Sequence, residues 1–178
     1  MDNLLINSLK KAQEKNWCTK FLCTTCGAIE FRTELQNISG EERLLLVDDL
    51  KEINIAELEK QPNWKGGLLI ALHDLQIKAL IDEILDTWLS IKTEHLIFYD
   101  FVLFKVINNL PKQNPVRSRW INRCAELALE TKDFSLVESL ILVLESDAIG
   151  YPELISIANE YAKKSMQMKR VLFNTGLN

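Results

Sequence analysis

Glycine and proline are scarce in this chain, six and four in 178 residues, which leaves little material for a turn-rich β fold or for a long disordered segment. Long apolar runs are missing too. The longest, such as Leu68-Leu69-Ile70-Ala71-Leu72, fall far short of the roughly 20 residues that a membrane-spanning helix needs. The first residues, Asp2 to Ser8, put no base ahead of the apolar positions, and Lys10 and Lys11 follow them; this reverses the charge order of a secretory signal, so export is not expected. Only four cysteines occur, Cys18, Cys23, Cys26 and the remote Cys124. They do not make the dense even framework of a small secreted domain, and reduced thiols in a cytoplasmic protein are the simpler expectation. The two histidines, His73 and His95, belong to no triad or H-E-x-x-H pattern, and Gly66-Gly67 stands without the flanking residues of a phosphate loop. No residue is therefore assigned a catalytic role, and the chain is expected not to be an enzyme.

What is present is an ordinary globular balance, 47% apolar and 26% charged, with charge segregated along the chain. Residues 41–60 hold seven acids (Glu41, Glu42, Asp48, Asp49, Glu52, Glu57, Glu59) against three bases (Arg43, Lys51, Lys60), so this stretch alone carries the net charge of −4 of the whole chain. Residues 101–125 hold Lys105, Lys112, Arg117, Arg119 and Arg123 and no acid. Segregation of this kind steers partners of opposite sign, and a solvated helix face produces it as well. A pI near 5.3 is far from the basic balance that phosphate neutralisation favours, so direct nucleic-acid binding through the block around Trp120 is not expected.

Apolar residues recur at helical rather than strand spacing almost throughout. Asp2 suits the cap of a first helix through Leu5, Leu9 and Ala12, with Trp17 near its end. Residues 28–38 suit a second helix, and Phe31-Arg32-Thr33 also suits a short strand. Ser39-Gly40-Glu41-Glu42 has the S-x-x-E form of a capping box ahead of Leu44 to Ile53. Asn54 opens a short helical turn that Pro62 closes. Amphipathic segments follow from Trp64, with a break near Asp74 to Ile77; Thr93 caps a long helix carrying Leu96, Ile97, Phe101, Phe104, Ile107 and Leu110, which Pro111 stops. Asn114-Pro115 opens a helix through Val116, Trp120, Cys124, Leu127 and Ala128, Asp133 opens one through Leu136, Val137, Leu140, Ile141 and Leu144, and Tyr151-Pro152 opens a last one reaching Met166. The fold class is all-α, an irregular helical bundle or HEAT-like α-solenoid of about eight to ten helices. A single domain, 1–178, is expected, with a cysteine-bearing segment 1–40 packed on a helical body 41–178.

Cys18-x4-Cys23-x2-Cys26 is the one local motif with metal-ligand spacing. It can offer three thiolates to zinc, with Cys124, His73 or His95 as a remote fourth ligand, and the spacing also suits a plant-type iron–sulfur cluster. A zinc ribbon usually supplies two local pairs, and here the second is absent. The alternatives are thiols packed as small hydrophobes in a turn, and a Cys23-Thr24-Thr25-Cys26 redox pair that lacks the βαβ context it would need.

The block Trp17-Cys18-Thr19-Lys20-Phe21-Leu22-Cys23-Thr24-Thr25-Cys26-Gly27-Ala28-Ile29-Glu30-Phe31-Arg32, less than a tenth of the chain, resembles a stretch of small bacterial cytosolic proteins of the polymorphic-toxin kind. The resemblance implies an immunity protein of a contact-dependent growth inhibition system, which binds one cognate toxin domain and blocks it. That class shares no binding motif, so no residue role carries over. On this expectation the partner is a basic nuclease-like toxin domain, the contact is made by Glu41, Glu42, Asp48, Asp49 and Glu52, and tryptophans that stay exposed would serve as anchors. A helical scaffold or adaptor, and a small zinc-binding or nucleic-acid-associated factor, are the competing expectations.

Overall fold

The capping box at Ser39 forms as its spacing predicts. Ser39 Oγ accepts from the Glu42 amide at 3.2 Å, and the Glu42 carboxylate accepts from the Ser39 amide at 2.7 Å. Two of the amide groups that every helix start leaves without intrahelical partners are thereby satisfied. Asn54, Asn114 and Asp133 act in the same way, each accepting from an amide two or three residues ahead at 3.2, 2.8 and 2.9 Å. Four helix starts are thus written into side chains that reach no further than the next turn.

The structure, a computed structural model, describes residues 4–14, 33, 35–73, 75–91 and 94–177. Among these the chain forms 11 α-helices and no strand, so the all-α expectation holds. No helix among them is long and apolar enough to cross a membrane. The proposed Asp2 and Thr93 caps and residues 28–32 and 34 of the segment 28–38 lie outside the described residues; of the rest of that segment, Thr33 and residues 35–37 are helical. Internal contacts divide the chain into two compact units, Met1–Ile91 and Lys92–Asn178.

The first unit contains α1 (Leu4–Glu14), α2 (Gly40–Lys51), α3 (Ile55–Glu59), α4 (Trp64–Leu72), α5 (Leu75–Lys78) and α6 (Ile81–Trp88). The break expected near Asp74 to Ile77 is instead the short helix α5. Helix α1 packs on α2 and α4, and α2 packs on α6. Leu5, Leu9, Leu46, Leu50, Leu68 and Trp88 meet in this core with essentially no exposure. Trp88 donates its indole N–H to the carbonyl of Leu50, one of the last carbonyls of α2 that the helix itself leaves unused. Lys51 and Glu83 join the same two helices at 2.7 Å. Gly67 is where α4 runs against α1: a Cβ there would press into the Leu9 side chain well inside van der Waals contact.

The second unit contains α7 (Leu96–Lys105), α8 (Pro115–Thr131), α9 (Phe134–Leu144), α10 (Pro152–Ala162) and α11 (Met166–Asn174), with 3-10 turns at Ile107–Asn109 and Glu145–Gly150. Helix α9 is its centre and touches α7, α8, α10 and α11. The predicted inward faces of α8 and α9 are the observed ones, from Val116 through Ala128 and from Leu136 through Leu144. Tyr99 of α7 rests against Trp120 of α8 with ring centroids 5.4 Å apart, and both are fully buried.

Two expectations need correction here. In α7 Phe101 is buried as expected, but so are Phe98, Tyr99, Val102 and Leu103, and Ile97 is 61% exposed. The helix ends at Lys105, short of Pro111, with the buried Ile107 in the 3-10 turn that follows. The sequence LIFYDFVLFK is apolar nearly all round, so its periodicity does not select a face. The last predicted helix is in fact two. Helix α10 ends at Ala162, Ser165 caps α11 through the Met168 amide, and α11 closes with Gly176 at φ 71°. There the Leu177 amide bonds to Leu172 O and the Gly176 amide to Phe173 O, the paired bonds of a left-handed glycine stop.

Candidate protein-binding surface

Helix α2 places the five candidate acids in three different situations. At about 100° per residue, Leu46, Val47 and Leu50 point to one side and are buried, and Glu41, Asp48 and Glu52 fall on the opposite, exposed side. Glu42 is exposed but engaged. Its hydrogen bonds with the Ser39 amide and hydroxyl hold its carboxyl below the usual carboxylate range. Asp49 turns toward α1 and accepts from the Leu4 amide, at the start of that helix. Partial burial pushes its pKa up, and the charges of Asp48 and Glu52 push the same way. Of the five, then, Glu41, Asp48 and Glu52 face solvent together, and Glu42 and Asp49 hold helix ends.

The acids are not alone on that face. Leu44 and Leu45, between Glu41 and Asp48 in the helical sequence, are 67% and 58% exposed. Charge counting over 41–60 passes over them, because adjacent leucines inside a capped helix read as core. The available signal was angular. Once Leu46, Val47 and Leu50 define the inner face, Leu44 and Leu45 cannot share it.

The tryptophan anchors expected at the surface are not found among the described residues: Trp64, Trp88 and Trp120 are all buried, and Trp17 lies outside them. The basic block at 101–125 is largely used within the chain. Lys112 pairs with Asp147 at 3.0 Å and Arg123 with Glu126 at 3.3 Å. Arg117 is buried, and its guanidinium donates to Val143 O at 3.2 Å, in the last turn of α9, where a cation is favoured.

Cys18, Cys23 and Cys26 lie outside the described residues. Of the remote fourth ligands considered, Cys124 is fully buried in the second unit, and burial pushes its thiol far above the usual range, so it stays protonated at neutral pH. His73 ends α4 on the surface, and His95 stands just before α7 with its Nε2 3.8 Å from Glu94. Among the described residues no group of three or more His, Cys, Asp or Glu side chains is arranged to hold a metal ion.

A second surface was missed in the sequence. Residues 161–178 contain Lys163, Lys164, Lys169 and Arg170 and no acid. On α11, Met168, Val171 and Leu172 are buried, which turns Met166 and Phe173, 65% and 72% exposed, outward together with Lys169 and Arg170. The acid-free run was visible, but no charge count covered it.

No family model matches the chain, and neither a curated protein nor a solved structure matches it at a significant level.

Proposed function

We propose that the chain is a non-catalytic cytoplasmic protein-binding module that uses the outer face of α2, and that its partner is a basic toxin domain which it neutralises. The observation that carries this reading is the exposed pair Leu44 and Leu45 beside Glu41, Asp48 and Glu52. The surface these leucines leave in water adds nothing to folding, whereas covering it against a partner contributes about 1–2 kcal/mol for each. An apolar centre with a charged rim is the usual division of labour in a protein interface: the centre supplies affinity, and the rim supplies association rate and choice of partner. Three carboxylates favour a partner rich in Lys and Arg, as a nuclease domain is.

The test is a rescue experiment. The basic domain of a captured partner, expressed alone, should arrest growth. Co-expression of the wild-type chain should restore growth, and co-expression of the Leu44→Ser/Leu45→Ser variant should not. Equal rescue by the variant would remove the α2 face from the mechanism. A partner that is harmless when expressed alone would favour a scaffold or adaptor.

A further inference from the structure

The chain carries two exposed apolar helix faces of opposite charge. On α2, Leu44 and Leu45 are accompanied by Glu41, Asp48 and Glu52; on α11, Met166 and Phe173 flank Lys169 and Arg170. Their spacings match. A rise of 1.5 Å per residue puts Met166 and Phe173 about 10 Å apart, with the two bases midway between them. The leucine pair of α2 likewise lies about one turn, roughly 5 Å, from Asp48. With either helix direction, setting Met166 or Phe173 on the leucine pair brings Lys169 and Arg170 opposite Asp48. The combination covers apolar surface and opposes charges in one step.

We propose that the α11 face of one copy of this chain docks on the α2 face of a second copy. The contact joins two different patches, so it either closes reciprocally between two chains or continues past two as concentration rises. It also occupies the face assigned above to the partner. A second copy and the partner therefore compete for each α2 face, and partner binding weakens self-association. The inference rests on the α2 face being a docking surface and not on the partner being a toxin. A polyanion is the other chemistry that could suit α11. The net charge of −4 on the whole chain opposes its approach, whereas α2 offers carboxylates and apolar area together.

Sedimentation of the purified chain across a concentration series tests the proposal without any partner. At low salt the mean mass should rise with concentration to that of two chains or more, and the rise should weaken at roughly 0.5 M salt, where screening is strong. Leu44→Ser/Leu45→Ser and Met166→Ser/Phe173→Ser should each weaken association by at least about tenfold. A 1:1 mixture of the two variants should recover a species that stops at two chains, because each supplies the face the other lacks. Unchanged helix content by circular dichroism ensures that a loss of association is not unfolding. A wild-type chain that stays monomeric at every concentration overturns the proposal, as does a 1:1 mixture of the two variants that does not associate. So does association that survives both variants. Binding of anionic vesicles or of RNA that Phe173→Ser abolishes, with a monomeric chain, would assign α11 to a polyanion instead. A Leu44→Ser/Leu45→Ser variant that loses partner capture while the wild type is monomeric would sink this inference and leave the proposed function standing.

Discussion

Helices α2 and α9 are alike in sequence and opposite in fate. Both begin at a side-chain cap, Ser39 in one and Asp133 in the other, and both run through a dense cluster of Leu and Val. Helix α9 is surrounded by α7, α8, α10 and α11 and buries Leu136, Val137, Leu140, Ile141, Val143 and Leu144. Helix α2 packs on α1 and α6, buries Leu46, Val47 and Leu50, and keeps Leu44 and Leu45 in water. The number of packed neighbours, not leucine content, decides how much of a helix is core. Leucines in excess of the neighbours available stay exposed, and it is these that the proposed function uses.

The sharpest way to break this comparison is to truncate one leucine in each helix. Leu140→Ala should cost about 3 kcal/mol in urea unfolding, since the side chain is fully buried and its cavity has little room to collapse. Leu45→Ala should change stability by less than about 0.5 kcal/mol. Similar losses at the two positions would mean that α2 has no spare face.

Next in size is the contact that seats α1 on α4. Gly67→Ala drives a methyl into Leu9, which is itself fully buried. Overpacking of about 1–3 kcal/mol should exceed the gain of about 1 kcal/mol in helix propensity. A net loss in thermal unfolding is expected, and Leu9→Ala in the same chain should cost less than the sum of the two changes.

The caps should be closely matched, because both act locally. Ser39→Ala and Asp133→Ala should each cost about 1 kcal/mol, read from the urea midpoints. A much larger loss at Asp133 would show that the start of α9 depends on tertiary contacts as well.

The smallest effects are pH effects, and they run in opposite directions on α2. Glu42 has a depressed folded-state pKa, so its contribution is present above the unfolded value and is lost as pH falls through the folded one. Asp49 has a raised pKa, so the folded state takes up its proton first, and stability gains as pH falls through that folded value. The two partly cancel as pH falls through the ordinary carboxylate range. Asp49→Asn should therefore steepen the loss of stability on acidification, and Glu42→Gln should flatten it. Parallel urea titrations at several pH values check both signs.

How much of this was legible in the sequence followed the range of the forces involved. Ser39, Asn54, Asn114 and Asp133 were readable as caps because their bonds reach only two or three residues ahead. The face of α8 was readable because polar and apolar residues recur there with a clear helical period, and that of α9 because Ser135 and Glu138 mark its outer side. The face of α7 was not, because nearly every residue in it is apolar, and the gap between α10 and α11 was obscured by residues that also suit a helix, although Ser165 was there to cap the second one. The candidate surface was half legible. Its acids showed as a charge count, but the separation of Glu41, Asp48 and Glu52 from Asp49 depends on where α1 begins in space. The basic block failed for the same reason, with Arg117 drawn inward to the end of α9.

Paired affinity capture from the native lysate tests the central claim most directly, with the wild-type chain and the Leu44→Ser/Leu45→Ser variant as baits of equal helix content. The account predicts a stoichiometric basic protein held by the wild type and lost from the variant, with the loss reproduced by Asp48→Lys/Glu52→Lys at low salt. The same stoichiometric partner held by all three baits would contradict it.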